Sequence, residues 1–160
     1  MSHWKYNNKP FNPTYQELID IGWYGFVYKI TNLDLNKHYI GKKFFHSKKT
    51  LKPLKGRKNK RHRRIESNWR IYSGSSKYVQ ADIDSGIFTF DHTIISLHNN
   101  KVETNYHETK LQFNLNVLES VNIDGSRKFY NENILQRYYP SKKSHDHRHM
   151  LHENYNTIEI

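Results

Sequence analysis

Apolar and polar positions change rhythm several times along the chain, and each change marks an element. Through residues 1–22 the apolar positions are sparse and irregular, and Pro10 and Pro13 break any early helix. This predicts a lead-in arm draped over the core, with a short turn around 15–21. A period of two then sets in: Phe26, Tyr28 and Ile30 alternate with Val27, Lys29 and Thr31, which predicts a strand over 25–31. Turn-forming residues fill 32–37, and β-favouring types return over 38–45, so the two runs predict a β-hairpin. Between 61 and 72, Ile65, Trp69 and Tyr72 fall at helical spacing. The Ser-Gly-Ser-Ser run at 73–76 supplies an N-cap for a helix over 77–84, which Gly86 ends. A second strand is predicted over 88–97, with Phe88, Phe90, His92 and Ile94 on one side and Ile95 and Leu97 on the other. From 103 or 104 to 121, Leu111, Leu115 and Leu118 form the stripe of an amphipathic helix. Residues 122–131 return to loop or short strand around Asp124 and Gly125, and beyond Gln136 a Lys- and His-rich stretch frays.

Length and composition narrow the class. A chain of 160 residues holds about one domain. Only 35% of it is apolar, yet 14% is aromatic with twelve Tyr, enough bulk to exclude disorder throughout. No apolar run approaches a membrane span, and the first residues lack the apolar middle of a signal peptide, so the chain reads as soluble, unexported and cytoplasmic, with no membrane partner. Without cysteine there is no disulfide scaffold, thiolate metal site or catalytic thiol.

Charge changes the picture most. The net charge is +11, and from 42 to 64 there are twelve Lys or Arg in twenty-three positions with no Asp or Glu. Such a segment is extended, solvated or bound to an anion. Against a merely solvated face, its concentration favours a phosphate backbone, with Lys42, Lys48, Lys49, Lys55, Arg57, Lys58, Lys60, Arg61 and Arg63 as candidate contacts. Phe44, Phe45, His46, Trp69 and Tyr72 lie in or beside it and could stack on bases or wedge into a groove.

Three further features carry candidate chemistry. Glu108 lies at the N-terminal end of the leucine stripe, where a carboxylate either complements the helix dipole or serves as a ligand for a hard divalent cation. Tyr28 and Tyr39 sit in neighbouring strands, either as a packing pair or as phenols whose ionisation is eased by Lys37, Lys42 and Lys43. His145, His147, His149 and His152 could bind a metal, although a polar tail without a rigid flank reads first as solvated.

The ordered set of motifs is more specific than its parts. Phe26-Val27-Tyr28, continued by Lys29-Ile30-Thr31-Asn32 and followed by Tyr39-Ile40-Gly41, resembles the two-part signature of the GIY-YIG nucleases. With Glu66 to Trp69, Tyr72 to Ser76 and Asn105-Tyr106-His107-Glu108, the resemblance extends over roughly 23–135 to the Seg-like homing-type endonucleases of tailed phages. Two departures stand out: Phe26 occupies the place of the family's first Gly, with Gly25 just before it, and a Lys-rich loop intervenes before the family's arginine.

The resemblance implies an α+β fold, a small three-stranded antiparallel sheet flanked by helices. Its domain would cover 23–135 with a basic insert at 42–64, between an arm at 1–22 and a polar tail at 136–160. The implied function is a divalent-metal-dependent DNA endonuclease of phage homing type, active in the host cytoplasm on double-stranded DNA, with a homodimer on DNA as one route to a double-strand break. Glu108 would hold Mg²⁺ or Mn²⁺. Tyr39 would act as general base or water-orienting group, Tyr28 as its partner, and Lys43 would lower the phenol's pKa or contact phosphate. Arg64 and Arg70 are candidates for the arginine, with Arg61 and Arg63 behind them, and Asn131 or Asn133 for the late Asn of the site. The competing reading is a non-catalytic basic nucleic-acid-binding protein, a decayed nuclease.

Overall fold

The computed structural model describes residues 2–134; the tail at 136–160, with its four candidate histidines, lies outside the described residues. Trp4 opens the fold. Its side chain is wholly buried and its indole N–H donates to the Trp69 carbonyl at 2.8 Å, which carries the next residues onto the sheet as β1 (Lys5–Tyr6). Asn7 and Asn8 take positive φ, as Asn tolerates better than most residues, and turn the chain into β2 (Lys9–Pro10). After Pro13, Thr14 and Glu17 form a capping box, each side chain accepting the other's backbone N–H, and α1 (Tyr15–Ile21) follows until Gly22 ends it. A capped helix therefore stands where a short turn was expected.

The alternating run forms β3 (Gly25–Asn32), paired antiparallel with β4 (Lys37–Phe44) so that Tyr28 faces Gly41 and Ile30 faces Tyr39. Asn32 shapes the connecting turn: its side-chain oxygen accepts the N–H groups of Asp34 and Leu35 at 3.2 and 3.1 Å. The basic segment forms β5 (His46–Leu51) and β6 (Arg61–Glu66), a separate two-stranded ribbon. The helical reading of 61–72 is thus corrected to a strand followed by one 3₁₀ turn, Trp69–Ile71. The break falls at Ser67, whose backbone N–H donates to the Phe45 carbonyl and whose hydroxyl donates to the Phe44 carbonyl, both bonds leaving the helical path.

α2 (Lys77–Asp84) starts at Ser76, which occupies the cap position without making a side-chain capping bond. After β7 (Phe90–His98), Asn100 caps α3 (Lys101–Asn114) by accepting the Glu103 N–H at 2.8 Å. α3 stops short of the predicted end at 121: Leu115 is its C-cap and Leu118 is 41% exposed. Thr104, Thr109, Leu111 and Gln112 make its buried face instead.

The sheet runs β2-β1-β7-β3-β4. The expected antiparallel trio is present as β7-β3-β4, but β1 adds to β7 in parallel and β2 to β1, so the three-stranded expectation is corrected to five. Strands of two residues are too short to show a period. Trp4, Leu18, Phe26, Tyr28, Ile30, Phe45, Trp69, Val79 and Ile94 pack on one side of the sheet, bringing in α1 and α2. Val27 and Ile40 point to the other side, against Leu111 of α3, Val117 and Phe129. A bulge in β7 opposite Val27 and Tyr28 lets Ile95 face α3 while Leu97 returns to the first side, correcting the predicted pairing of those two residues.

Candidate active site

β4 is an edge strand, so its outer N–H and C=O groups need partners from elsewhere. Residues 128–131 supply them. The His38 N–H donates to the Lys128 carbonyl at 2.9 Å and the Tyr130 N–H to the His38 carbonyl at 2.7 Å. The Asn131 amide then does for Ile40 what a neighbouring strand would: it accepts the Ile40 N–H at 3.0 Å and donates to the Ile40 carbonyl at 2.8 Å. Gln112 of α3 donates to the same carbonyl at 3.1 Å. Helix, strand edge and returning chain are thereby locked at one point.

Beside this lock lies a cleft of about 250 Å³ whose walls include Tyr39, Lys42, Glu108 and Asn131. Tyr39 and Lys42 are three apart on one strand, so they leave opposite faces of the sheet. The cleft straddles the edge and joins them. Lys42 donates to the Glu108 carboxylate from α3, and both side chains are largely shielded from solvent. Ser75 reaches Tyr39 from the other side, with hydroxyl to hydroxyl at 3.0 Å.

Two glycines make this arrangement possible. A Cβ at Gly41 would stand 2.5 Å from the Tyr28 hydroxyl oxygen, so the second motif admits nothing larger beneath the buried phenol. Gly74 has φ of 91° and lies against the Tyr39 ring, which sets the loop bearing Ser75 and Ser76 close to the phenol.

Burial dominates the electrostatics. It pushes Tyr39 above the usual phenol range, opposed by the Ser75 hydrogen bond, and pushes Tyr28 well above it, reinforced by Tyr72, Tyr39 and Glu108. The expected easing of ionisation by nearby lysines is therefore corrected: desolvation is the largest cause at both phenols, and at Tyr39 the opposing pull comes from Ser75 rather than from a lysine. Burial also raises Glu108, against the downward pull of Lys42, and lowers Lys43.

The expected site residues divide into two groups. Tyr39, Glu108 and Asn131 share the cleft, and Asn133 lines it too. Tyr28 lies one layer beneath, its ring 6.1 Å from that of Tyr39. Lys43 points away, donating to Asn68 at 2.7 Å with its ammonium 4.0 Å from the Tyr72 ring centre. Arg70 is occupied at the base of the ribbon, donating to Glu66, Asn12 and the Pro13 carbonyl and lying over Trp69. Arg64 projects from the exposed ribbon beside Tyr24. Neither arginine is a cleft residue. Phe45 and Trp69 are fully buried, so they cannot stack on bases as expected.

Lys42, expected as a backbone contact and as a lysine easing phenol ionisation, is the cation that lines the cleft among the described residues. Ser75, Ser76, Gln112 and Glu132 were not anticipated. No sequence signal pairs Lys42 with Glu108, because the pairing depends on α3 crossing the sheet.

Among the described residues no group of three or more His, Asp or Glu is arranged to hold a metal ion. A hard cation bound through one carboxylate and substrate oxygens needs less. The cleft meets that need: Glu108 offers the carboxylate, Tyr39 and Ser75 offer hydroxyl oxygens, and the buried Ser76 hydroxyl on the same wall has no hydrogen-bond partner.

Residues 4–134 match the family model described as "Putative endonuclease segE, GIY-YIG domain". Neither the curated proteins nor the solved structures yield a match.

Proposed function

The chain belongs to the GIY-YIG family in its segE endonuclease branch, and from that premise we propose that it is a divalent-metal-dependent endonuclease hydrolysing phosphodiesters of double-stranded DNA, of the phage homing type and acting in the host cytoplasm. The observation that carries the reading is the meeting of Tyr39, Lys42 and Glu108 in one cleft at the β4 edge. No helix among the described residues is long and apolar enough to cross a membrane.

Hydrolysis requires an oriented water, neutralisation of charge on the phosphoryl oxygens and help for the departing 3′-oxygen. Burial pushes Tyr39 above the usual phenol range, so its oxygen serves to accept a hydrogen bond from the attacking water and orient it, with the Ser75 hydroxyl 3.0 Å away fixing the phenol in place. Lys42 is the cation able to face a phosphoryl oxygen, a task the resemblance assigns to an arginine. Glu108 would hold Mg²⁺ or Mn²⁺, with Ser76 available to a water or substrate oxygen nearby. When bound, the ion supplies Lewis-acid stabilisation of the pentacovalent centre and of the leaving oxygen. Tyr28 positions Tyr39 from below and Asn131 positions the strand edge. With one such cleft among the described residues, a double-strand break requires sequential nicks or two copies on DNA.

The second reading, a nucleic-acid-binding protein without catalysis, is favoured by one observation: among the described residues no arginine lines the cleft. A plasmid assay separates the two. Wild-type protein with Mg²⁺ or Mn²⁺ is expected to nick supercoiled DNA, Tyr39→Phe to slow nicking by about a hundredfold, and Glu108→Gln to abolish it while DNA still shifts in a gel. Wild-type protein that shifts DNA but nicks it under no metal establishes the binding reading instead.

A further inference from the structure

Among the described residues the ribbon β5–β6 meets the body near its base, where Arg64 also lies over the Tyr24 ring. His46 meets the Tyr15 hydroxyl and the Trp23 carbonyl there, and Glu66 accepts from Trp69 and Arg70. Beyond the base nearly every residue is exposed. An unsupported two-stranded hairpin is marginal in water, and like charges directly opposite weaken it further. This one carries two such pairs, Lys48 facing Arg64 and Lys49 facing Arg63. Among the described residues no carboxylate forms an ion pair with any of these four. The fold leaves that repulsion for something outside the chain to relieve.

The placement of the cations says what kind of anion fits. Successive residues of a strand point to opposite faces, so Lys48 and Arg64 project from one face of the ribbon while Lys49, Arg63 and Arg61 project from the other. A flat anionic surface meets one face and leaves the other unpaired. A groove with phosphates on both walls meets both. The B-form major groove, about 12 Å wide, admits a two-stranded ribbon, whereas the minor groove is about half that width and the A-form major groove is too narrow for side chains to read. Single strands are gripped by stacking on aromatic rings, and residues 46–66 contain no Phe, Tyr or Trp.

We propose that β5–β6 enters the major groove of B-form duplex DNA, with one cationic face against each phosphate wall, and so fixes duplex DNA as the class of polymer presented to the cleft. The link to the cleft rests on the nuclease reading; the binding mode does not. β5 follows directly on β4, the strand that carries Tyr39 and Lys42, so a duplex seated on the ribbon is aligned with the cleft edge.

The test uses the full chain as Glu108→Gln, which keeps DNA intact, and measures fluorescence anisotropy with a thirty-base-pair DNA duplex, one of its strands alone and the matching RNA duplex, across a salt series. Neutralising either face, by Lys48→Gln with Arg64→Gln or by Lys49→Gln with Arg63→Gln, is expected to weaken duplex DNA binding roughly tenfold at 0.15 M salt and to reduce the log–log salt slope by about 1.8. Combining the two faces adds the losses. Because each substitution removes a repulsive pair, the melting temperature is expected to hold or rise, so weakened binding is not unfolding. Dimethyl sulfate is expected to show guanine N7 protected. A loss confined to one face, equal affinity for single-stranded DNA or RNA duplex, or unprotected N7 overturns the proposal. Nicking by the wild type despite such a result leaves the nuclease reading standing alone; two-faced binding without nicking leaves only the ribbon.

Discussion

A single amide decides whether the cleft has a wall. Asn131 is buried and both ends of its side chain are committed to Ile40, a neutral substitute for a sixth strand. In Asn131→Ala the Ile40 carbonyl keeps Gln112, but the Ile40 N–H loses its acceptor in a buried place. The expected loss is about 1–3 kcal/mol of unfolding free energy, read from urea denaturation. Asn131→Asp should fall further, since it turns a second oxygen toward a carbonyl and brings charge into the core. If Asn131→Ala leaves the midpoint unchanged while cleavage disappears, the residue acts on substrate rather than on the strand.

Elements were legible to the extent that a hydrophobic period ran long enough to be seen. The β3–β4 hairpin was visible in the alternation around Tyr28 and Tyr39, though not its register, and α3 in the placement of Leu111. The ribbon was hidden because its alternation is of cation with cation, which carries no contrast, and because Ile65, Trp69 and Tyr72 mimic a helical step across the Ser67 break. The site was half legible: Glu108 and Tyr39 could be named, but not that Tyr39 leaves one face of the sheet while Lys42 leaves the other to reach Glu108 on α3, the cleft joining them around the edge. β1 and β2 were invisible, and what holds them is Trp4, seated among Phe26, Tyr28 and His92. Trp4→Ala removes that anchor and leaves a cavity. We expect it to cost about 3–5 kcal/mol, measured by urea unfolding, and to release the segment through α1 to early proteolysis. A change below 1 kcal/mol would mean that the N-terminal strands are held by their ladder bonds alone.

For the whole molecule, the fold stores several histidines in neutral form beneath a strongly positive surface. Burial, more than any other cause, lowers His38, His92 and His98 from 6.5 to about 4. Their charged neighbours mostly push the same way: Lys29 and Lys128 beside His38, His3 and Lys5 beside His92 against the pull of Asp91, and His107 stacked on His98. Between about pH 6.5 and 4 the unfolded chain binds these protons and the folded chain does not, so stability is full above the upper limit and falls as acid is added. Glu108, raised by burial, opposes this with one group, and Asp91, where burial is the largest single cause and raises but the bonds to Lys5 and Thr93 and the charges of Lys5 and His92 together lower it, acts in the same direction as the histidines but at lower pH. The net charge of +11 compounds the loss, because every proton gained on unfolding is also one the folded surface would repel. Thermal melts at constant ionic strength should therefore show a midpoint that is level above pH 7 and declines steadily from 6.5 toward 4. Replacing His98 with Asn should flatten part of that decline, and adding duplex DNA should raise the midpoint across the window. A midpoint independent of pH over this range would show that the histidines titrate as they do in the unfolded chain.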